Sequence, residues 1–315
     1  MNDGTARRMW QLYEPIHDVT YFTPEARAAA DSLGVRGFWM GYFALRVAPL
    51  GPVAPAVAAA SFFGFHPDRV ARALPDAWTY TSPQDAIRAR LAGADAALRR
   101  LWGDVTVESQ EVAEAADLAW RAASAADTAG RVLAAANQAL PRPTQPHLAL
   151  WQATTTLREH RGDGHIAVLL SRGVSPIQAH VIKATAGEAD PAVLRESRRW
   201  SADAWRSTVE ELSTTGWLDV AGHLTRAGLA KHDEMEASTD RAAMHPWRAL
   251  GEMATARLTE LLTPLAAAVV DSGILPASNP VGLTADSQSP PPGRGGRLRS
   301  DRQPEVSRRS RSRGC

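Results

Sequence analysis

The chain has 315 residues, 44% apolar and 22% charged, proportions of a folded protein that exclude a wholly disordered chain. Its single cysteine, Cys315, excludes an intramolecular disulfide framework and any paired-cysteine metal or redox motif. The net charge of +1 conceals a split: residues 287–315 hold eight arginines against Asp301 and Glu305, which leaves the remainder mildly acidic at about −5.

In chain order, Met9, Leu12 and Tyr13 recur at helical spacing within residues 7–14, and Pro15 is expected to interrupt that helix. Thr23 before Pro24 supplies an N-cap with proline at the first helical position, opening a short helix that ends before Gly34. Residues 36–47 read as a helix dense in aromatics, where Gly37 and Gly41 leave room for a neighbour. Prolines break 49–55, and 57–63 is short, apolar and expected to be buried. His66-Pro67-Asp68 starts a helix to about Leu74. Ser82-Pro83-Gln84-Asp85 opens another to Trp102, with Ile87, Leu91, Ala94, Leu98 and Leu101 at helical spacing. Alanine-rich helices at 109–126 and 129–140 precede the clearest linker, Pro141-Arg142-Pro143-Thr144-Gln145-Pro146.

Beyond it, helices are expected at 147–161, 164–172, 176–186, 191–198 and 202–214. Residues 215–225 read as two very short strands around a tight turn, and Thr225 caps a helix to about Ala243. A last amphipathic helix covers 252–271, with Leu258, Leu261, Leu262, Leu265 and Val269 on its apolar face. The Pro-, Gly-, Ser- and Arg-rich tail cannot form a core and is expected to be disordered. No apolar run is long enough to span a bilayer, and Met1–Thr5 lacks the basic and apolar regions of a signal peptide, so a cytoplasmic protein without membrane contact is expected.

The stretch STVEELSTTGWLDVAGHLTRAGLAKHDEMEASTDR resembles the second half of a MarR-type winged helix: a helix ending Glu-Glu-Leu, a Gly-Trp-Leu strand, a turn, and Leu-Thr-x-Ala-Gly entering a charged helix. From about Ala6 to Leu283 the chain is similar to a family of actinobacterial proteins with a winged-helix signature. The shared blocks are Thr20–Ala26, Arg36–Ala44, Ala48-Pro49-Leu50-Gly51, Phe62-Phe63-Gly64-Phe65 and Leu157–His165. The resemblance implies an all-α fold with a small β-wing and a distant regulator ancestry. The expected organisation is a helical N-terminal domain (1–140), a linker (141–146), a winged-helix-like domain (147–246), a C-terminal helix (247–283) offering a homodimer seam, and the tail (284–315).

DNA reading needs a helix that enters the major groove and cations set against phosphate. The recognition-helix candidate, 201–214, carries Asp203, Arg206, Glu210 and Glu211, a net of −2, and the expected wing turn has no lysine or arginine. Arg195, Arg198 and Arg199 on the preceding helix, with Arg206, form the DNA-contacting set if that function is retained.

Two constellations could carry chemistry. In Arg158-Glu159-His160-Arg161-Gly162-Asp163-Gly164-His165 the glycines read as a turn between two helices. Such a corner would bring Glu159 and Asp163 beside His160 and His165 as a proton-transfer set. The plainer reading is that Asp163 only caps the following helix. The second constellation is His17, Tyr21, Glu25, Arg36, Trp39, Tyr42 and Arg46, an aromatic and cationic set able to line a pocket for a small aromatic molecule; its plainer reading pairs Arg36 or Arg46 with Glu25 in a core. Histidine and acid spacings match no metal motif, and no nucleotide-binding signature occurs, so no metal or cofactor is expected. The leading expectation is a cofactor-independent acid/base enzyme of secondary metabolism, effecting a condensation or cyclisation. The alternative is a ligand-responsive regulator that binds DNA.

Overall fold

The computed structural model describes residues 4–276; the arginine-rich tail lies outside the described residues. Sixteen α-helices occur among them. The chain begins with α1 (Thr5–Phe22), α2 (Pro24–Asp31) and α3 (Gly37–Val47), then two short helices, α4 (Pro55–Ser61) and α5 (Pro67–Ala71). Next come α6 (Pro83–Trp102), α7 (Asp104–Val107), α8 (Gln110–Ser124) and α9 (Val132–Gln138), which lead to the longest helix, α10 (Pro146–Ser171). The remainder is α11 (Pro176–Thr185), α12 (Pro191–Arg198), α13 (Ala202–Thr214), α14 (Arg226–Ala242), α15 (His245–Leu250) and α16 (Glu252–Asp271).

Most starts follow the local chemistry. Thr23, Ser82, Ser109, Asp190, Ser201 and Thr225 each accept a backbone N–H of the helix they precede, satisfying a donor that the helix itself leaves free. Ser175 and Gln178 form a reciprocal capping box at α11.

Helix α10 is the axis. It packs against α1, α6, α8, α9 and α14 and is buried on nearly all sides, so its sequence shows no polar stripe. The largest core joins α1, α6, α8, α10, α15 and α16, and so draws residues from both sides of the Pro141–Pro146 stretch. An aromatic core built on Phe43, Phe62, Phe65 and Leu74 joins α3, α4 and α5. A third core links the end of α10 to α11, α13 and α14 through Leu169, Ile182, Leu212 and Met235.

Four expectations are corrected. The fold is all-α, but the β-wing is absent: the described residues contain no strand, only an isolated antiparallel bridge between Leu218 and Leu224. Both arms are too short to propagate a ladder. Asp219 closes the turn by accepting the Ala221 and His223 N–H groups at 2.9 and 3.0 Å, and Thr225 is already committed to capping α14. Second, α1 runs straight through Pro15. An internal proline costs a helix about 3 kcal/mol, which burial of Met9, Leu12, Tyr13, Ile16 and Val19 at about 1.5–3 kcal/mol each outweighs. Third, the turn at Gly162-Asp163-Gly164 does not exist, because α10 continues through it. Fourth, the leucine face of α16 lies in the chain's own core and is not a free dimer seam. By length and composition α16 could cross a membrane, yet that face packs against α1 and α8.

Candidate functional site

Why α10 tolerates two glycines explains how it builds a site. A Cβ on Gly164 would lie 2.5 Å from Arg131 Nη1, so the glycine makes a gap through which Arg131 crosses α10. Arg131 there donates to the His160 carbonyl at 2.6 Å and to the Ala242 carbonyl at 2.8 Å, tying α10 to the end of α14. Gly162 lines a cavity of about 240 Å³. A glycine in mid-helix costs about 1 kcal/mol relative to alanine; at Gly164 it serves close packing, and neither glycine makes a turn.

At 3.6 residues per turn, Glu159, Gly162, Asp163 and Ile166 share one face of α10, and that face is the cavity wall. The opposite walls are Phe62-Phe63-Gly64-Phe65 after α4, Ile182 and His180 of α11, Arg198 of α12, and Met235 and Glu236 of α14. The cavity therefore lies between the N-terminal helices and the helices that follow α10.

Its centre is ionic. Glu159, 3% exposed, accepts from Arg46 Nε at 3.1 Å and Nη2 at 3.0 Å, and from Arg158 Nη1 at 2.9 Å. Burial alone would raise this carboxyl, but Arg46 and Arg158 overcome burial and hold it well below the usual carboxylate range. Arg158 also pairs with the buried Glu14 at 3.3 Å. Arg46 reaches back to Tyr42 Oη at 3.1 Å, beside a second, smaller cavity of about 40 Å³ lined by His17, Tyr21, Tyr42, Arg46 and Arg90. His17 bridges Thr155 and Tyr21, both at 3.0 Å, and burial holds its imidazole neutral. That space suffices for a few waters.

The predicted residues separate accordingly. His17, Tyr21, Tyr42 and Arg46 converge, and Arg46 joins them to Glu159. Glu25 pairs instead with Arg100 at 3.1 Å. Arg36 is exposed, with its guanidinium 5.2 Å from the Tyr80 ring, and Trp39 packs against Phe43 and Phe65. On α10, five residues of separation turn His160 about 140° away from His165. His165 lines the large cavity and contacts Thr239 Oγ1 at 3.0 Å, and burial pulls it down to about 4. His160 faces Asp127, 2.8 Å away, and burial lowers it despite that acid. The two imidazoles do not share a site, so the proton-transfer set expected of this stretch is not brought together. Asp163 does act as a cap, but of α9: its Oδ2 accepts the Ala134 N–H at 3.0 Å, and burial pushes its pKa up to about 6.

Sequence reasoning missed Arg90 in the smaller cavity and His180, Lys183 and His232 in the larger one, which only tertiary packing brings to those walls. The one signal available was the spacing Glu159, Gly162, Asp163, Ile166, a helical face obscured by the glycines.

Helices α11, α12 and α13 form a three-helix unit. Arg199, in the left-handed conformation at φ 64°, makes the turn between α12 and α13, and Ser201 caps α13 through the Ala204 N–H at 3.1 Å. The outer face of α13 exposes Asp203, Arg206, Glu210 and Glu211, with Arg206 paired to Asp203 at 2.7 Å. Arg195 lies beside Glu196 at 3.2 Å, and Arg198 turns inward to the cavity.

No curated protein and no solved structure matches the chain. A helix-turn-helix family matches it over residues 6–276, nearly the whole length and not only the α11–α13 unit. The chain belongs to this helix-turn-helix family.

Proposed function

We propose that the protein is a DNA-binding regulator whose helix-turn-helix answers to a small molecule held in the 240 Å³ cavity. The observation that carries this reading is the composition of the cavity wall. One side comes from Arg46 and Phe62–Phe65, the other from His180 and Arg198 of the helix-turn-helix itself, so an occupant touches both. Membership of the helix-turn-helix family supports taking the α11–α13 unit as the DNA-reading part. In this reading α13 enters the major groove, Arg206 exchanges Asp203 for a base edge, and Arg195 and Arg199 approach phosphate.

The test is fluorescence anisotropy with the DNA upstream of the protein's own gene, at low salt and against a scrambled duplex. A specific complex that Arg206→Ala weakens by about 1–3 kcal/mol is expected. Equal affinity for both duplexes overturns the reading.

The acidic outer face of α13 favours a second reading, in which the scaffold handles the small molecule without reading DNA, since its carboxylates repel phosphate. Ligand binding with no specific complex selects it.

A further inference from the structure

Charges in a protein interior are normally paired, because an unpaired one bears the full cost of leaving water. Most acids around the large cavity satisfy this rule. Glu159 is held by Arg46 and Arg158, Glu188 faces His232 at 3.0 Å, and Glu236 meets Arg7 at 2.5 Å. The cations are less evenly served. Arg46 and Arg158 pair with Glu159 and Glu14, whereas the half-buried Arg198, on the same wall, is left without such a partner. Among the described residues no carboxylate lies within ion-pair distance of it; its contacts are Ser197 Oγ at 3.3 Å and the Phe65 ring at 4.3 Å. Burial and repulsion by Arg46 and Arg158 lower its affinity for its proton, to about 10. The apolar part of the wall is Phe62, Phe63, Leu169, Ile182 and Met235.

We infer that the cavity binds an apolar monocarboxylate, its acid group on the Arg198 guanidinium and its body against the phenylalanines and Ile182. A carboxylate supplies the partner that Arg198 lacks, and a guanidinium fork fits its two oxygens.

The site sits at the joint between the helix-turn-helix and the rest of the molecule. The Gly64 carbonyl accepts from Trp200 Nε1 at 3.1 Å and His180 Nε2 at 2.9 Å, while His66 N–H donates to the Arg198 carbonyl at 3.0 Å. An anion on Arg198 therefore draws α12 toward the cavity at the point where the loop 64–66 holds it. For this effect of occupancy the inference rests on the regulatory reading above; for the anion site itself it does not.

The experiment is isothermal titration of the full chain with 2-naphthoate and octanoate, each beside its uncharged amide. At least one acid is expected to bind well above its amide, and Arg198→Gln is expected to weaken that acid by roughly ten- to a hundredfold. Circular dichroism confirms that the variant folds, and the comparison of acid with amide in the unaltered protein does not depend on it. Binding of the amides as tightly as the acids overturns the inference, as does failure of both acids to bind. An acid that binds through Arg198 in a protein that forms no specific DNA complex leaves the anion site standing and removes the regulator reading; the reverse result does the opposite.

Discussion

Glu159→Gln is the substitution through which the ionic centre can be weighed. It removes one negative charge from a site where Arg46 is 13% exposed and Glu159 3%, so solvent compensates little. Two guanidinium groups lose their shared acceptor; Arg158 keeps Glu14, and Arg46 is left without a carboxylate. Breaking a buried pair by removing one partner costs about 3–5 kcal/mol, which at roughly 2–4 °C per kcal/mol lowers the melting temperature by about 6–20 °C. The double variant Arg46→Met/Glu159→Leu removes both partners and keeps the volume filled. It is expected to cost at least 1 kcal/mol less than the sum of the two single changes, because contacting charges couple. Urea unfolding of the four proteins measures this coupling. The acid limb follows from the same pair. Because the folded-state pKa of Glu159 is depressed, its contribution is present above the unfolded value of about 4.3 and is lost as pH falls below it. Strictly additive losses in the cycle would refute the assignment of Glu159 as the shared counter-ion.

Asp18 is fully buried and neither carboxylate oxygen has a partner among the described residues; burial, reinforced by Glu14, raises its pKa well above the usual value, so it folds with its proton on. The unfolded chain gives that proton up above about pH 3.9, so this group makes stability fall as pH rises, and Asp18→Asn is expected to flatten the slope between pH 4 and neutrality in thermal melts. An unchanged slope refutes it. Asp163→Ala removes the acceptor from the start of α9 and should lower stability by about 1 kcal/mol in urea unfolding, with no loss of helix α10 by circular dichroism. Gly228→Ala places a Cβ 2.2 Å from the Trp217 carbonyl oxygen, so the turn and α14 must separate. A melting temperature within error of the parent would show that this approach is not tight.

The starts of α2 and α6 were legible because each rests on a local signal, Thr23-Pro24 or Ser82-Pro83, that tertiary structure did not need to supply. What misled was punctuation with two meanings. Pro15 and Gly164 carry the residue types of breaks, yet both lie inside helices, because packing over the whole helix outweighs a local penalty of about 1–3 kcal/mol. The site was half legible. His17, Tyr21, Tyr42 and Arg46 follow from aromatic and cationic density, and Glu159 from its polar motif. Arg198 read as a phosphate contact, and only the turn at Arg199 and the packing of α12 show that it points inward. The wing failed because the arms on either side of the turn are too short to extend pairing beyond the single bridge between Leu218 and Leu224.

Helix α10 has a mechanical consequence. Its 26 residues span about 39 Å, and after Ser171 only a short connection, including Gly173, separates it from the start of α11 at Pro176. A rod enclosed on nearly every flank cannot bow under a local load; it can slide or rotate only as a whole. A push at Ile166, little more than a turn from Ser171, or at Glu159, about three turns from it, therefore reaches the far end almost undiminished. On the regulatory reading, this stiffness gives the cavity a second route to α11, beside the direct contact that His180 and Arg198 make with its wall.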